Sequence, residues 1–244
     1  MARATLTLDA SGNGGSLSNL QVIWRQLPKV NGEAHYGHRL AFGADGKLWI
    51  TSSDRQAMTP AQDLQSALGK LIRLNDDGSV PADNPFVTRP GALPEIYSLG
   101  HRNPQGLGVV NGVPYAHEHG ARGGDELNRI QPGANYGWPV TTGGIDYTYA
   151  RITPYRRLPG IEPPLLEWTP SIAPSGLAFL RSERYGRDWQ GSAFTGSLKF
   201  RYLSRLVLDG TLARSGRVNI LINGAGVNSP TPFLDVTEEE YDRI

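Results

Sequence analysis

Short apolar runs separated by turn residues recur along the chain and predict β-strands. Residues 40–43 and 47–51 flank a turn at Asp45-Gly46, and residues 106–110 and 113–116 flank Asn111-Gly112. Such turns supply the positive φ that a tight hairpin needs, so each pair predicts a hairpin. A helix of about two turns is predicted over residues 61–68. Single strands are predicted at residues 1–8, 70–74, 175–180, 192–195 and 204–208.

The spacing of these strands is typical of a sandwich, a barrel or a propeller. Three phrases resemble one another, namely residues 39–43, 105–109 and 175–179, each with a leucine ahead of an apolar run. Weak internal similarity of this kind favours repeated blades. The intervals are irregular, so the pattern alone leaves the other two architectures open.

The last 29 residues, 216–244, have a different pattern. Residues 216–226 read as a buried strand that ends in a glycine turn, and Thr237 to Glu240 form a capping box that predicts a helix start. A strand, a loop and a helix in succession are typical of an α/β protein. We therefore predict a short α/β-like tail after a β domain.

The composition of the chain excludes several classes of function and of metal site. The chain has 30 Gly and 18 Pro, which suits many short strands, and its formal net charge is +1 with the two signs well mixed. Neither a nucleic-acid footprint nor a membrane-surface patch is expected. The absence of Cys excludes disulfides and thiolate metal sites. No apolar run is long enough to span a bilayer, and the N-terminus does not resemble a signal peptide, so any export signal would lie upstream.

The five histidines all fall in glycine- or arginine-rich stretches, at His35, His38, His101, His117 and His119. Hydrogen-bonded loop histidines and one or two general bases are both open interpretations. The pairs His35/His38 and His117/His119 would also allow a transition metal, but no predicted helix frames them as a zinc protease requires.

Two polar segments are candidates for binding. Arg102 and Asn103 stand before Pro104, where an arginine fork suits a carboxylate or another planar anion, although a simple polar turn is the alternative. Residues 116–128 combine Glu118, Asp125 and Glu126 with flexible glycines. Hard oxygen donors of this kind favour calcium over a softer metal.

Seven phrases, in this order along the chain, resemble the soluble PQQ-dependent (pyrroloquinoline quinone) glucose and aldose sugar dehydrogenases. They lie at residues 35–43, 69–78, 83–86, 99–106, 117–128, 135–139 and 173–176, and the resemblance runs from about residue 4 to about 214. It implies an all-β fold, a partial β-propeller of about three and a half to four blades from a six-bladed family, over residues 1–215. Residues 216–244 form the foreign tail in this interpretation.

The resemblance also implies a mechanism. A histidine takes the proton from the C1 hydroxyl of an aldose, hydride passes to PQQ, and Ca²⁺ polarises the quinone. His35 aligns with that base and His38 is the weaker candidate. Asp54 aligns with the acidic residue that orients the base, and a turn aspartate is the alternative.

The other implied roles concern the cofactor and the metal. Contacts to PQQ fall on Arg102, Asn103, Tyr147, Lys199 and Arg201, although a solvated blade edge is an equal interpretation for the last two. Backbone oxygens of Gly120 and Ala121 align with ligands of the cofactor calcium. A second, structural calcium falls on Glu126 and Tyr136.

Several alternatives remain beside this interpretation. Residues 216–244 resemble a short-chain dehydrogenase around Asn223 to Gly226, although a divergent propeller strand is also open. The family has further chain on both sides, so a truncated or chimeric remnant without turnover is the alternative to PQQ- and calcium-dependent aldose oxidation. A protein-binding scaffold ranks last.

The expected partners are an aldose sugar and an external electron acceptor, with no nucleic acid and no membrane span. A second copy of the chain could close an incomplete propeller into a homo-oligomer. The family resemblance implies a periplasmic or secreted protein.

Overall fold

The structure is a computed structural model that describes residues 1–208 and, for the backbone, residues 218–223. Strands dominate these residues. Their bounds are β1 (Ala2–Leu8), β2 (Gly15–Val22), β3 (Leu40–Phe42), β4 (Leu48–Ser52), β5 (Lys70–Leu74), β6 (Ile96–Leu99), β7 (Pro104–Val110), β8 (Val113–Glu118), β9 (Asp125–Arg129), β10 (Leu166–Trp168), β11 (Pro174–Phe179), β12 (Ala193–Ser197), β13 (Leu203–Leu208) and β14 (Val218–Asn223).

The strands form a two-stranded ribbon, β1–β2, and three four-stranded sheets. We call β3–β6 the first sheet, β7–β10 the second and β11–β14 the third. Every pair of hydrogen-bonded neighbours is consecutive in the chain and antiparallel. Such sheets are the blades of a propeller, and a ribbon plus three sheets agrees with the predicted three and a half blades. The all-β prediction is confirmed.

Apolar side chains hold the sheets face to face. One cluster joins Trp49 and Leu71 of the first sheet to Leu107 and Val109 of the second. Another joins strands of the second and third sheets, where Leu127 packs with Leu206. The contacts made by leucine and other apolar residues between sheets, rather than the strands alone, give the fold its core.

The β1–β2 ribbon contributes little to this core. All residues of both strands are exposed, and Leu6, paired with Leu17 across the ribbon, has 61% of its surface accessible. Its attachment to the first sheet is partly polar, since Arg3 Nη1 donates to the Asp76 carbonyl at 3.1 Å.

The helix predicted over residues 61–68 is wrong. A 3₁₀ helix covers only Thr59–Gln62, and turns follow it. The carbonyls of Pro60 and Ala61, which an α-helix would use internally, instead accept hydrogen bonds from the Lys70 ammonium. A second 3₁₀ helix spans Arg187–Trp189. Among the described residues, no helix is long and apolar enough to cross a bilayer.

The predicted tail falls largely outside the described residues, and so does the helix predicted from Thr237. Its first strand is described as β14, which pairs with β13 in register Leu203↔Asn223 to Leu208↔Val218. Strand β14 thereby completes the third sheet. The domain boundary between residues 215 and 216 stays a prediction.

Lys70 is the largest fully buried polar side chain. Its Nζ donates to the carbonyl oxygens of Pro60, Ala61 and Leu68 at 2.7, 3.0 and 2.7 Å. An ammonium has three N–H donors, so these three acceptors satisfy it. Burial lowers the pKa of Lys70 to about 7, against an opposing effect of Asp63. Lys70 therefore pins the loop 59–68 to the first sheet.

We predict that Lys70→Met lowers the free energy of unfolding by about 3 kcal/mol, because three carbonyl oxygens each lose a charged donor, although those of Pro60 and Ala61 keep one backbone amide each. Urea unfolding at pH 7 measures the effect. Lys47→Met is the matched control, since half-buried Lys47 donates to a single side-chain oxygen, Asn75 Oδ1, at 2.6 Å. Equal midpoints for the two variants would show that Lys70 does not pin the loop.

His117 links the second and third sheets. It is fully buried on β8, and its Nε2 lies 2.8 Å from the Gly176 carbonyl and 3.1 Å from Thr195 Oγ1. Its Nδ1 is buried with no hydrogen-bond partner. Burial lowers the pKa of His117 to about 4, so the imidazole is neutral near pH 7.

A pH dependence of stability follows from His117. Because its pKa is about 4 when folded and 6.5 for an unperturbed histidine, the unfolded chain binds more protons between these values. The free energy of unfolding therefore falls as the pH drops from 6.5 to 4, by up to about 3 kcal/mol. In His117→Gln this contribution disappears, and a series of urea titrations should give a shallower acid limb. Parallel curves for the two proteins would contradict the assignment.

Candidate functional site

The predicted site residues share one edge of the fold because of strand topology. Asp54, Gly120 and Lys199 follow the second strand of the first, second and third sheets. His35 and Arg102 precede the first strand of the first and second sheets. In an antiparallel meander, the loop entering the first strand and the loop joining the second and third strands lie at one end. We call this end the site edge.

His35 and Asp54 form a hydrogen-bonded pair. His35 Nδ1 lies 2.6 Å from Asp54 Oδ1, and the Asp54 side chain is fully buried whereas the His35 side chain is 9% exposed. With Nδ1–H donating to the carboxylate, Nε2 carries the free lone pair. A histidine oriented by a buried carboxylate is a chemically competent general base.

Trp138 supplies the remaining donor to Asp54. Its Nε1–H donates to Asp54 Oδ2 at 2.7 Å, while the Gln56 amide donates to Oδ1 at 2.9 Å. The Asp54 amide in turn donates to the Arg102 carbonyl at 2.8 Å. Hydrogen bonds to both carboxylate oxygens and from the backbone amide therefore hold Asp54 in place.

His35 is held in an uncommon backbone conformation. Its φ is 54°, in the left-handed region that few non-glycine residues occupy. Ser53 Oγ donates to the His35 carbonyl, which fixes the turn beside the ring. Conformations of this kind persist where the surroundings impose them, as they do at many binding and reaction sites.

Asn103 connects the His35 loop to the second sheet. Its Oδ1 accepts the Gly37 amide at 3.1 Å and Gln105 Nε2 at 3.2 Å. A Cβ on Gly37 would lie 2.3 Å from the Pro104 carbonyl, so only glycine allows this approach. The structure thus brings Asn103 beside the His35 loop.

Arg102 is buried, with 5% of its surface accessible. Its Nη1 donates to the His119 carbonyl at 3.0 Å and to the Gly120 carbonyl. Its guanidinium carbon lies 5.1 Å from the centre of the Trp138 ring, and its Nε is buried without a partner. Among the described residues no carboxylate lies within 4.0 Å of this guanidinium, which suits a site for an anion.

The Gly120 turn is fixed by Asp125. Asp125 Oδ1 accepts the Gly120 amide at 2.8 Å. Asp125 Oδ2 accepts donors from the loop before the third sheet: Ser171 Oγ at 2.7 Å, and the amides of Ile172 and Ala173 at 2.9 Å each. A Cβ on Gly120 would lie 2.2 Å from the Gly123 carbonyl, so a side chain cannot be accommodated.

Two of the acidic residues proposed as hard donors are already engaged by the protein. Asp125 is fully buried and accepts the four hydrogen bonds above. Glu118, 4% exposed, accepts from His101 Nδ1 at 3.0 Å and from the Arg102 amide. The described residues hold no group of three or more imidazole and carboxylate side chains arranged for a metal ion. The backbone carbonyls are therefore the donors that remain at this turn.

Glu126 lies near these carboxylates. Burial, followed by Glu118, raises the pKa of Glu126 well above its usual range, and Asn128 Nδ2 donates to it at 3.2 Å. The Tyr136 hydroxyl is engaged elsewhere, donating to the Arg129 carbonyl at 2.6 Å, so only its backbone oxygen is available as a ligand. A cavity of about 510 Å³ borders both residues, and its lining does not include His35 or Arg102.

The other predicted contact residues are separate from this group. Tyr147 is 63% exposed, and Lys199 and Arg201 are exposed on the turn between β12 and β13. In the part of the chain that the structure describes, no hydrogen bond joins them to His35, Asp54 or Arg102. Lys199 and Arg201 lie at the site edge, in a position to contact a bound molecule.

Sequence reasoning missed the roles of Trp138 and Asp125. Trp138 lies in one of the phrases that carry the family resemblance, yet nothing in the sequence connects its indole to a carboxylate 84 residues away. Asp125 was a candidate metal donor and proves to be the link between the second and third sheets. Pairing of buried donors with buried carboxylates is a tertiary property that a linear pattern does not display.

Comparison with known proteins gives consistent matches. The family model described as Glucose / Sorbosone dehydrogenase matches residues 1–226. The aldose sugar dehydrogenase YliI of Escherichia coli is 39% identical over 207 residues, which is 83% of this chain and 56% of that protein.

Two solved structures have the same fold over most of the chain. A glucose dehydrogenase is 40% identical with a TM-score of 0.82, covering 91% of this chain and 63% of that one. The PQQ-bound form of an aldose sugar dehydrogenase from Streptomyces coelicolor is 32% identical with a TM-score of 0.68, covering 90% and 58%. The chain spans about half the length of the curated relatives it matches.

A short match involves a different enzyme. Over 38 residues, 16% of this chain, it is 45% identical to an indene-carboxyl-CoA reductase of Mycobacterium tuberculosis. The foreign segment at residues 216–244 and its boundary stay predictions.

We predict that Trp138→Phe lowers the free energy of unfolding by about 1–2 kcal/mol more than Trp168→Phe. Both indoles are buried, at 5% and 7% exposure, but only Trp138 Nε1 donates to a carboxylate, whereas Trp168 Nε1 has no partner. Hydrogen bonds to charged groups contribute more than neutral ones. Urea unfolding of the two variants isolates this bond, and equal losses would exclude it.

Proposed function

The chain belongs to the glucose/sorbosone dehydrogenase family, and we propose that its site edge serves the oxidation of aldose sugars at C1 with PQQ and calcium. The observation that carries this proposal is the pair His35–Asp54, held 2.6 Å apart beside the buried, carboxylate-free Arg102. A base and an anion-binding group at one edge suit the removal of a proton from a sugar next to an anionic cofactor.

The residues present fit an anionic quinone. PQQ is a planar tricarboxylate, and the Arg102 guanidinium has a buried Nε with no partner and no carboxylate within salt-bridge distance among the described residues. Asn103 is buried next to it, and the cations Lys199 and Arg201 lie on a loop of the same edge. We propose that these four residues and Tyr147 hold the cofactor.

Calcium also fits the donor set. The Gly120 turn presents backbone carbonyls, and those of Gly123 and Gly124 crowd the position where a Cβ on Gly120 would stand. Carbonyl oxygens are hard ligands of the kind that calcium prefers. We propose that Gly120 and Ala121 contribute to the cofactor calcium. A second, structural calcium would use the Glu126 carboxylate and the Tyr136 carbonyl.

His35 is the proposed general base. Its Nδ1–H donates to Asp54, which leaves Nε2 to accept the proton of the C1 hydroxyl. The carboxylate of Asp54 then stabilises the imidazolium, and Trp138 and Gln56 hold that carboxylate in place. When bound, PQQ would supply the hydride acceptor and calcium the Lewis acid.

His38 is less suited to be the base. Its Nδ1 lies 2.7 Å from the Thr51 carbonyl, and burial lowers the pKa of His38. The carbonyl holds the ring to β4 but offers no negative charge to stabilise an imidazolium. His38 therefore fits a structural role at the start of the first sheet.

An inactive remnant is the second candidate function. The chain spans 53% and 56% of two curated relatives, and a site that needs residues from the remaining length would be incomplete in this chain alone. Catalysis depends on positioning, and an incomplete ring of cofactor contacts reduces it. A second copy of the chain could supply the missing contacts. An external electron acceptor and a periplasmic or secreted location are further parts of the proposal.

Turnover in a dye-linked aldose oxidation assay tests the proposal. Protein reconstituted with PQQ and excess Ca²⁺ should oxidise aldoses, and His35→Ala should lower kcat/KM at least about 100-fold because the base is lost. Asp54→Asn should reduce kcat by a smaller factor. His38→Ala is the matched control and should retain activity close to that of the unchanged protein.

The outcomes separate the two candidates. Activity that survives His35→Ala but not His38→Ala would transfer the role of base to His38. A folded, PQQ-supplied protein without turnover at any concentration would favour the remnant, whereas turnover that rises steeply with protein concentration would indicate assembly from several copies.

A further inference from the structure

Arg102 and the proposed calcium compete for one acceptor. The Arg102 Nη1 donates to the Gly120 carbonyl and, at 3.0 Å, to the neighbouring His119 carbonyl. The Gly120 carbonyl is also a proposed calcium ligand. A permanently charged guanidinium therefore stands at the oxygen that a divalent cation would use.

The Gly120 carbonyl cannot easily turn away to serve both cations. Asp125 Oδ1 holds the Gly120 amide at 2.8 Å, and the same carboxylate is anchored by the Ile172 and Ala173 amides. A Cβ at Gly120 would collide with the carbonyls of Gly123 and Gly124, so this turn has little free space. The fold therefore fixes the backbone of the turn that presents this carbonyl.

The guanidinium itself is confined. Arg102 is 5% exposed, its guanidinium carbon lies 5.1 Å from the Trp138 ring centre, and its Nε lacks a partner. Among the described residues no carboxylate lies within 4.0 Å to neutralise it. Its positive charge consequently opposes the approach of a second cation to the same oxygen, at a buried position where water screens little.

We propose that Arg102 acts as a resident cation on the Gly120 carbonyl and keeps calcium affinity low until an anionic ligand draws the guanidinium away. This inference rests on the proposed calcium site. Because coupling between two ligands is reciprocal, an anion bound at Arg102 raises the affinity for calcium, and calcium raises the affinity for that anion. Arg102 thereby makes the metal and a carboxylate-bearing cofactor bind together rather than separately.

Calcium titration without cofactor or sugar tests this proposal. The calcium-stripped 244-residue chain is titrated with Ca²⁺ alone in a calorimeter. Arg102→Met removes the resident charge and should bind Ca²⁺ at least about tenfold more tightly than the unchanged protein. Arg102→Gln, which keeps an amide donor near the carbonyl but no charge, should also bind more tightly.

Two control variants separate charge from size and from general loop effects. Arg102→Lys keeps the positive charge and should remain as weak as the unchanged protein. Arg122→Met removes a charge from the same turn, but Arg122 is exposed and its guanidinium lies 4.1 Å from the Tyr149 ring centre. The calcium affinity of Arg122→Met should therefore be close to that of the unchanged protein.

The proposal is overturned if folded Arg102→Met binds Ca²⁺ no more tightly than the unchanged protein, or if Arg102→Lys binds as tightly as Arg102→Met. It is also overturned if no variant binds millimolar Ca²⁺. Circular dichroism establishes folding, and Arg102→Gln replaces Arg102→Met if the latter does not fold. Tighter calcium binding in a protein without sugar turnover would sustain this inference while contradicting the proposed function.

Discussion

A carboxylate that is shut off from water needs a donor for each oxygen, and this need at Asp54 organises the candidate site. His35 and the Gln56 amide donate to Asp54 Oδ1, and the Trp138 indole donates to Oδ2. The donors come from three loops that are far apart in the chain. Burying an unpaired charge is costly, so the loops converge or the fold loses stability. The geometry of the proposed base follows from that constraint.

A second buried carboxylate has the same effect between sheets. Asp125 accepts donors from its own sheet and from the loop ahead of the third sheet, and His117 on β8 adds a bond to the Gly176 carbonyl. Apolar clusters set the distance between blades, but they tolerate sliding because contacts between apolar groups have little directionality. Directional bonds at the site edge remove that freedom. Hydrogen bonds therefore fix the relative position of the second and third sheets at the site edge, where the proposed reaction takes place.

Much of the fold could be predicted from local patterns, and much of the site could not. The hairpins around Asp45-Gly46 and Asn111-Gly112 are confirmed because their turn residues act within a few positions. The helix over residues 61–68 is wrong because the distant Lys70 takes its carbonyls. The family resemblance paired His35 with Asp54. The hydrogen bonds from the Trp138 indole to Asp54 and from Arg102 to the Gly120 carbonyl join residues far apart in the sequence, so only the folded chain shows them.

The two ends of the blades differ in the residues that they carry. His35, Asp54, Arg102 and the Gly120 turn lie at the site edge, while the hairpin turn at Asn111-Gly112 lies at the opposite end and is exposed. That turn accordingly offers a place to attach the protein to a solid support or a label. Molecules fixed there would share one orientation, with the site edge directed away from the support and toward the solution.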